Sequence, residues 1–355
     1  MANSIAASHH RRVHLKAVEA LFKDLMDWIE IPSVTGAEGD YGDALARRLE
    51  ALGFDCERQD LAPGRFNLLA RAGEPGVVFC THLDTVPPYF GARQDSDFIY
   101  GRGSCDAKGQ AVAMIEAGRQ LLAAGLGNFG FLFTAGEEVD SAGAILANQL
   151  LAGPWRPHHV IVGEPTENEF IRGHKGLLYA RLEAKGVAGH SSQDIGPSAV
   201  HELARCACRL LDESWGQHEL FGAGTINIGQ IEGGVAVNVV ADRARAEILV
   251  RTVEEPELVL ARLGALLGEH VEILGEVKAY APVEFEVPPG APQRVVAFGT
   301  DAPHLARWGT PLLFGPGAII DAHTDGEKIC KRELAMAVAR HVESATAFLE
   351  EEAAE

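Results

Sequence analysis

Long hydrophobic runs are missing from this sequence. The longest apolar stretches, such as Gly76-Val77-Val78-Phe79-Cys80, are far shorter than the roughly 20 residues a bilayer-spanning helix needs. The opening residues, Met-Ala-Asn-Ser-Ile-Ala-Ala-Ser-His-His-Arg-Arg, carry no apolar core of the kind a secretory signal has, so a cytoplasmic protein is expected. His9 and His10 are only a pair, too few for a tag or a metal site. Basic residues are scarce: 31 Lys and Arg stand against 50 Asp and Glu, a formal charge of -19. A surface that negative repels phosphate backbones and anionic lipid heads, which argues against nucleic acid or a membrane as partner. It also leaves carboxylates for bound cations to offset. The six cysteines form no CxxC pair, and reduced thiols are expected. Cys206 and Cys208 lie two apart on an expected helix, so they point to different sides and neither reads as a ligand.

The 355 residues are comfortable for two cores, with an ordinary globular balance of 47% hydrophobic and 23% charged residues. Leu15, Val18, Leu21, Phe22, Leu25, Trp28 and Ile29 recur at helical spacing up to Pro32. Leu45, Leu49 and Leu52 repeat the pattern, with Gly53 as C-cap. Strands expected at Val77–Cys80, Phe129–Phe133 and His159–Val162 alternate with helices at Lys108–Ala123 and Ala142–Leu151, an α/β sheet covered on both faces. After Arg172 the order becomes β-α-β-β-α-β: Leu177–Ala184, Ser198–Asp212, Thr225–Ile231, Ala244–Val250, Glu257–Leu267 and Val271–Ala279. That order suggests a ferredoxin-like insert. The α/β pattern resumes from about Pro288, with Gln293–Phe298, Pro311–Phe314 and a final helix from Arg332. The expected organisation is a catalytic α/β domain with a mixed sheet (1–172 and 288–355) interrupted by an α+β lid (173–287).

Five segments carry the chemistry: Thr81–Pro87, Gly101–Gly109, Thr134–Glu138, Gly163–Thr166 and Gly315–His323. Four of them follow an expected buried strand of the larger domain, where ligands of open α/β sheets collect. Together they offer histidines and carboxylates, the natural donors for catalytic Zn²⁺. One Asp bridging two cations about 3.5–4 Å apart lets them share a water and lower its pKa. A carboxylate that is not a ligand then takes the water's proton. The adjacent Glu137-Glu138 pair fills both jobs, one turned to the metal and one to the water. Asp84, two residues after His82, fits a supporting role that fixes the imidazole tautomer. Cys105 beside Asp106 reads as packing, since no histidine base stands at a recognisable partner position.

These segments resemble the di-zinc amidohydrolase and metallopeptidase family of acetylornithine deacetylase, succinyl-diaminopimelate desuccinylase, aminoacylase-1 and glutamate carboxypeptidase. The His-x-Asp, Asp-x-Lys-Gly, Glu-Glu, Glu-Pro-Thr and Ala-His elements occur in the family's order, from about Leu21 to the final helix. The resemblance implies a zinc-peptidase-like fold, with His82 and Glu164 on one zinc, Glu138 and His323 on the other, and Asp106 bridging. It implies Glu137 as general base and later acid, and a cis bond after Asp106. In the lid it implies His190 as an oxyanion donor, often acting in the partner subunit of a homodimer, with Asn238 and Arg251 holding substrate. A bidentate guanidinium suits a substrate carboxylate. Co²⁺ or Mn²⁺ substitute readily at such sites. The expected reaction is hydrolysis of an N-acyl amino acid. The segments Gly299–Pro303 and Gly315–His323 look most like those of acetylornithine and acetylcitrulline deacetylases, in arginine biosynthesis. Acyl-lysine or succinyl amino-acid deacylases, dipeptidases and carboxypeptidases stand as alternatives, and a non-catalytic metal-bound module ranks last.

Overall fold

The computed structural model describes residues 17–288, 290–292 and 294–354. Leu15, the His9-His10 pair and Gln293 lie outside the described residues. Along the chain the main elements are helix α1 (17–29), α2 (Gly39–Ala51), strands β1 (Asp55–Ala62), β2 (Arg65–Ala72) and β3 (Val77–His82), α3 (Lys108–Ala123), β4 (Phe129–Thr134), α4 (Ala142–Leu150) and β5 (His159–Val162). Then follow β6 (Gly176–Lys185), α5 (Ala199–Asp212), β7 (Thr225–Gly233), β8 (Arg243–Thr252), α6 (Pro256–Leu266), β9 (Val271–Ile273), β10 (Lys278–Tyr280), β11 (Thr310–Leu313) and α7 (Lys331–Ala354). Gly53 closes α2 with φ +94°, a conformation open to glycine at little cost.

The larger unit comprises Met1–Ile171, Phe285–Pro292 and Thr300–Glu355. Its sheet runs β1-β2-β4-β3-β5-β11. The β1-β2 and β2-β4 pairs are antiparallel, whereas β4, β3, β5 and β11 run parallel. Every residue of β3 and β4 is buried, because both faces of a parallel sheet are covered. Phe79, Phe131 and Phe133 stack along the sheet, with Phe54 edge-on to Phe131 at 5.1 Å. Each fully buried aromatic ring contributes about 1.5–3 kcal/mol. Helix α3 reaches this face through Gly118, where a Cβ would sit 2.5 Å from the Phe131 ring. The register Val77↔Phe129 through His82↔Thr134 brings the ends of β3 and β4 level. The carboxyl ends of four parallel strands therefore share one edge, and their loops carry most of the candidate residues.

The smaller unit comprises Arg172–Glu284 and Gln293–Gly299. Its antiparallel sheet runs β7-β8-β6-β9, with β10 also paired to β6. Ala244, Ala246, Ile248 and Val250 of β8 alternate inward toward a core shared with α5 and α6. On α5, Leu203, Cys206 and Leu210 are buried while Cys208 is exposed, as their spacing requires. The order β-α-β-β-α-β holds, but the expected strand Val271–Ala279 divides into β9 and β10. The expected single return to the larger unit near Pro288 also differs. Val295 and Val296 pair parallel to Gly173 and His174, which holds residues 294–299 in the smaller unit. Among the described residues no helix is long and apolar enough to cross a membrane.

Candidate metal centre

The parallel strands deliver their loops to one place. His82 ends β3, Glu164 follows β5 by two residues, and Glu137 and Glu138 follow β4 by three and four. Asp106 precedes α3, and the Asp106–Ala107 peptide is cis, as the family resemblance implied. Two groups of donors result: His82, Asp106 and Glu164, all buried, and Asp106, Glu138 and His323. Within each group the donor atoms lie within 4.8 Å of one another. His82 Nε2 is 2.9 Å from Asp106 Oδ1. His323 Nε2 is 3.3 Å from the other oxygen, Oδ2, and 3.0 Å from Glu138 Oε2. Asp106 thus belongs to both groups and gives each histidine its own oxygen.

These side chains fit divalent cations. The cluster crowds Asp106, Glu138 and Glu164 with only two imidazoles between them, a charge set that cations balance. Burial pushes the Glu164 carboxyl well above its ordinary value, and neighbouring Asp106 pushes it further. Burial raises Glu138 as well, Asp106 adds to it, and the bond from His323 opposes it. Asp106 itself is held low: burial would raise it, but hydrogen bonds from His323 and His82 outweigh that. Bonds to Asp106 and Glu138 raise His323 to about 10. Burial lowers His82, yet bonds to Asp106 and Asp84 and nearby carboxylates carry it well above its usual range. His323 is held in the left-handed region at φ +62°, an uncommon conformation for a residue with a Cβ.

Glu137 belongs to neither donor group. Burial pushes its carboxyl well above the usual carboxylate range, with Glu164, Asp301 and Glu138 adding to the effect against His82. Asp84 supports this loop in an unforeseen way. His82 Nδ1 faces the main-chain carbonyl of Asp84 at 2.9 Å, while the Asp84 carboxylate lies 3.6 Å away. The tautomer is therefore set by the carbonyl. The carboxylate instead accepts the main-chain N–H groups of Gly136, Glu137 and Glu138 at 3.0, 3.1 and 3.2 Å and the Thr35 hydroxyl at 2.8 Å. It cradles the turn that presents both glutamates. Cys105 is buried, and its thiol is pushed well above its ordinary value by burial and by Asp106, which makes it a poor nucleophile.

The remaining candidates belong to the smaller unit. His190 is exposed, and its Nδ1 takes the Ser192 hydroxyl at 2.8 Å. It pairs with Val239, and the carbonyl of exposed Asn238 accepts the Ser191 N–H at 3.0 Å, so these two lie together. Arg251 lies eight residues beyond Arg243 on β8, about 26 Å along an extended strand at 3.3 Å per residue. It sits on the face opposite Val250.

Two residues of the larger unit were given no role from sequence. Asp301 is buried beside the site; Oδ2 takes the Thr134 hydroxyl at 2.6 Å and burial raises its pKa. Its place in the Gly299–Pro303 segment, already singled out by resemblance, was the available signal. Glu327 is fully buried with Arg102, 225 residues away, and no spacing reveals that pairing.

Residues 172–273 match the model of the peptidase dimerisation domain. A peptidase M20 domain-containing protein of Schizosaccharomyces pombe is 37% identical over 321 residues, covering 86% of this chain and 79% of its own. A probable carboxypeptidase of Aspergillus niger is 34% identical over 356 residues, covering 88% and 86%. Among solved structures, a tripeptidase from Staphylococcus aureus superposes with a TM-score of 0.79 at 20% identity, covering 94% of this chain and 99% of that one. An M20 family metallo-carboxypeptidase from Sulfolobus solfataricus gives 0.75 at 19%, covering 93% and 98%. These likenesses give the fold, a catalytic α/β unit with an inserted dimerisation unit. The sequence identity, spread over most of both chains, makes this protein a member of the peptidase M20 family.

Proposed function

We propose that this protein hydrolyses the amide bond that joins a C-terminal amino acid to an acyl or peptidyl group, with two divalent cations held by His82, Asp106, Glu138, Glu164 and His323. One observation carries the reading: two donor groups share Asp106, and an adjacent glutamate, Glu137, belongs to neither. Bound there, two cations supply Lewis-acid polarisation of the carbonyl and a water of lowered pKa. Zinc suits the imidazole and carboxylate donors, and cobalt or manganese would serve. Glu137 takes the proton of the attacking water and returns it to the leaving amine. Asp84 keeps Glu137 and Glu138 aimed through their main-chain N–H groups.

In the smaller unit, His190 would donate to the oxyanion, while Asn238 and Arg251 hold the substrate. The matching dimerisation model supports a homodimer through this unit. The six unpaired cysteines suit a reducing compartment such as the cytoplasm.

The relatives named probable carboxypeptidases favour a dipeptide or short peptide with a free carboxylate over N-acetylornithine or N-acetylcitrulline. Deacylation of an N-acyl amino acid is the second reading, since Gly299–Pro303 and Gly315–His323 look like the deacetylase segments. The test is amine release from a panel of dipeptides, carboxyl-blocked dipeptides, N-acetylornithine, N-acetylcitrulline and N-acetylmethionine. Fastest cleavage of free-carboxylate peptides supports the first reading. Fastest cleavage of the acetyl compounds supports the second. Cleavage that ignores a chelator contradicts both.

A further inference from the structure

Glu327 lies four residues after His323 and belongs to neither donor group. Its Oε1 accepts the main-chain N–H groups of Cys105 at 3.0 Å and Asp106 at 3.1 Å. Its Oε2 accepts Nη1 of Arg102 at 2.5 Å. Its main-chain carbonyl takes the N–H of Gly101 at 3.1 Å. Arg102, also buried, donates Nε to the Pro88 carbonyl at 3.2 Å and lies over the Phe90 ring. One buried ion pair thus ties together the segment after β3, the turn bearing Asp106 and the segment bearing His323.

The two donor groups are supported differently. His82 and Glu164 extend from β3 and β5, neighbouring strands locked by the register Cys80↔Val162. A sheet fixes their separation. His323 has no strand behind it: β11 ends ten residues earlier at Leu313, and the histidine side chain is 48% exposed. Something else must hold His323 against Oδ2 of Asp106. Glu327 is placed to do so, because it lies on the histidine's own segment and grips the backbone N–H of Asp106 itself.

We propose that Glu327 is a positioning residue for the second cation, setting the bridging carboxylate of Asp106 against His323. The inference rests on the two-cation reading above. Outer groups that orient ligands typically cost about 10–100-fold in metal affinity when removed. Replacing a buried ion pair by apolar residues of similar size is often neutral for stability, but here it also unpairs the N–H groups of Cys105 and Asp106, which Glu327→Gln keeps bonded.

The experiment is calorimetric titration of the metal-stripped full chain with Zn²⁺, repeated with Co²⁺ for its visible spectrum. It compares wild type, the Arg102→Met/Glu327→Met double variant and Glu327→Gln, with thermal unfolding alongside. Wild type should take up two cations. The double variant should unfold at a moderately lower temperature, with two N–H groups unpaired, yet keep the affinity of the tighter step while the weaker step falls about 10–100-fold. Glu327→Gln keeps an oxygen for the two N–H groups and should recover most of the second affinity. A double variant that binds two cations as wild type does would overturn the inference and leave the two-cation reading intact. Equal loss of both steps would also overturn it, since the pair would then support the whole centre. Wild type that binds fewer than two cations would overturn the two-cation reading and this inference with it.

Discussion

Oδ1 of Asp84 accepts the main-chain N–H of Glu137 at 3.1 Å, so a buried carboxylate aims the candidate general base without touching its side chain. Removing that acceptor should loosen the turn and leave the strands intact. Asp84→Ala is expected to lower kcat about 10–100-fold, on the scale of other supporting residues. Steady-state kinetics beside circular dichroism checks this. Unchanged kcat in a folded variant would remove Asp84 from the mechanism.

Glu137→Gln preserves the size of the side chain and removes its ability to take a proton. Turnover should fall by about 10²–10⁴-fold, the usual share of a general base, while bound cation stays at the wild-type level. Metal analysis of the purified variant separates this from ligand loss. A parallel fall in cation content would make Glu137 a ligand.

Arg251 is expected to recognise a carboxylate. Arg251→Ala should lower kcat/KM for free-carboxylate substrates about 10–100-fold, the equivalent of a charge-assisted bond of about 1.5–3 kcal/mol. Carboxyl-amidated analogues, already poor, should change little. Equal losses on both substrate types would contradict carboxylate recognition.

His341 supplies a pH test remote from substrate. It is fully buried between Phe79 and Phe314, at 5.5 and 4.4 Å, and neither ring nitrogen has a hydrogen-bond partner. Burial lowers its pKa from 6.5 to about 3. The folded chain therefore refuses a proton that the unfolded chain accepts. The neutral ring's contribution is present above about pH 6.5 and is lost as pH falls toward 3, at up to about 1.4 kcal/mol per pH unit. Denaturation midpoints measured between pH 7 and 4.5 should fall less steeply for His341→Phe than for wild type. Identical slopes would show that His341 does not couple folding to protonation.

The donor residues were legible because each stands in a short motif at the end of a strand whose apolar run is itself readable. His82, Glu137, Glu138 and Glu164 are fixed by the lengths of β3, β4 and β5, which local pattern reveals. What escaped depends on contacts between distant segments. Asp84 sits two residues from His82, which suggested a bond to the imidazole. Its carboxylate turns instead to residues 136–138, more than fifty positions away. The Arg102–Glu327 pair spans 225 positions and leaves no periodic trace. The excursion of residues 294–299 into the smaller unit rests on a two-residue parallel pairing, too short for any alternation to show.

The central claim is that hydrolysis requires two cations in the shared site. It is tested by adding Zn²⁺ stepwise to metal-stripped protein and following amide cleavage against bound cation. Activity absent in the stripped protein and fully restored by two equivalents is the predicted result. Cleavage that persists without cation, or that added cation restores fully in a His82→Ala/His323→Ala variant, would contradict the account.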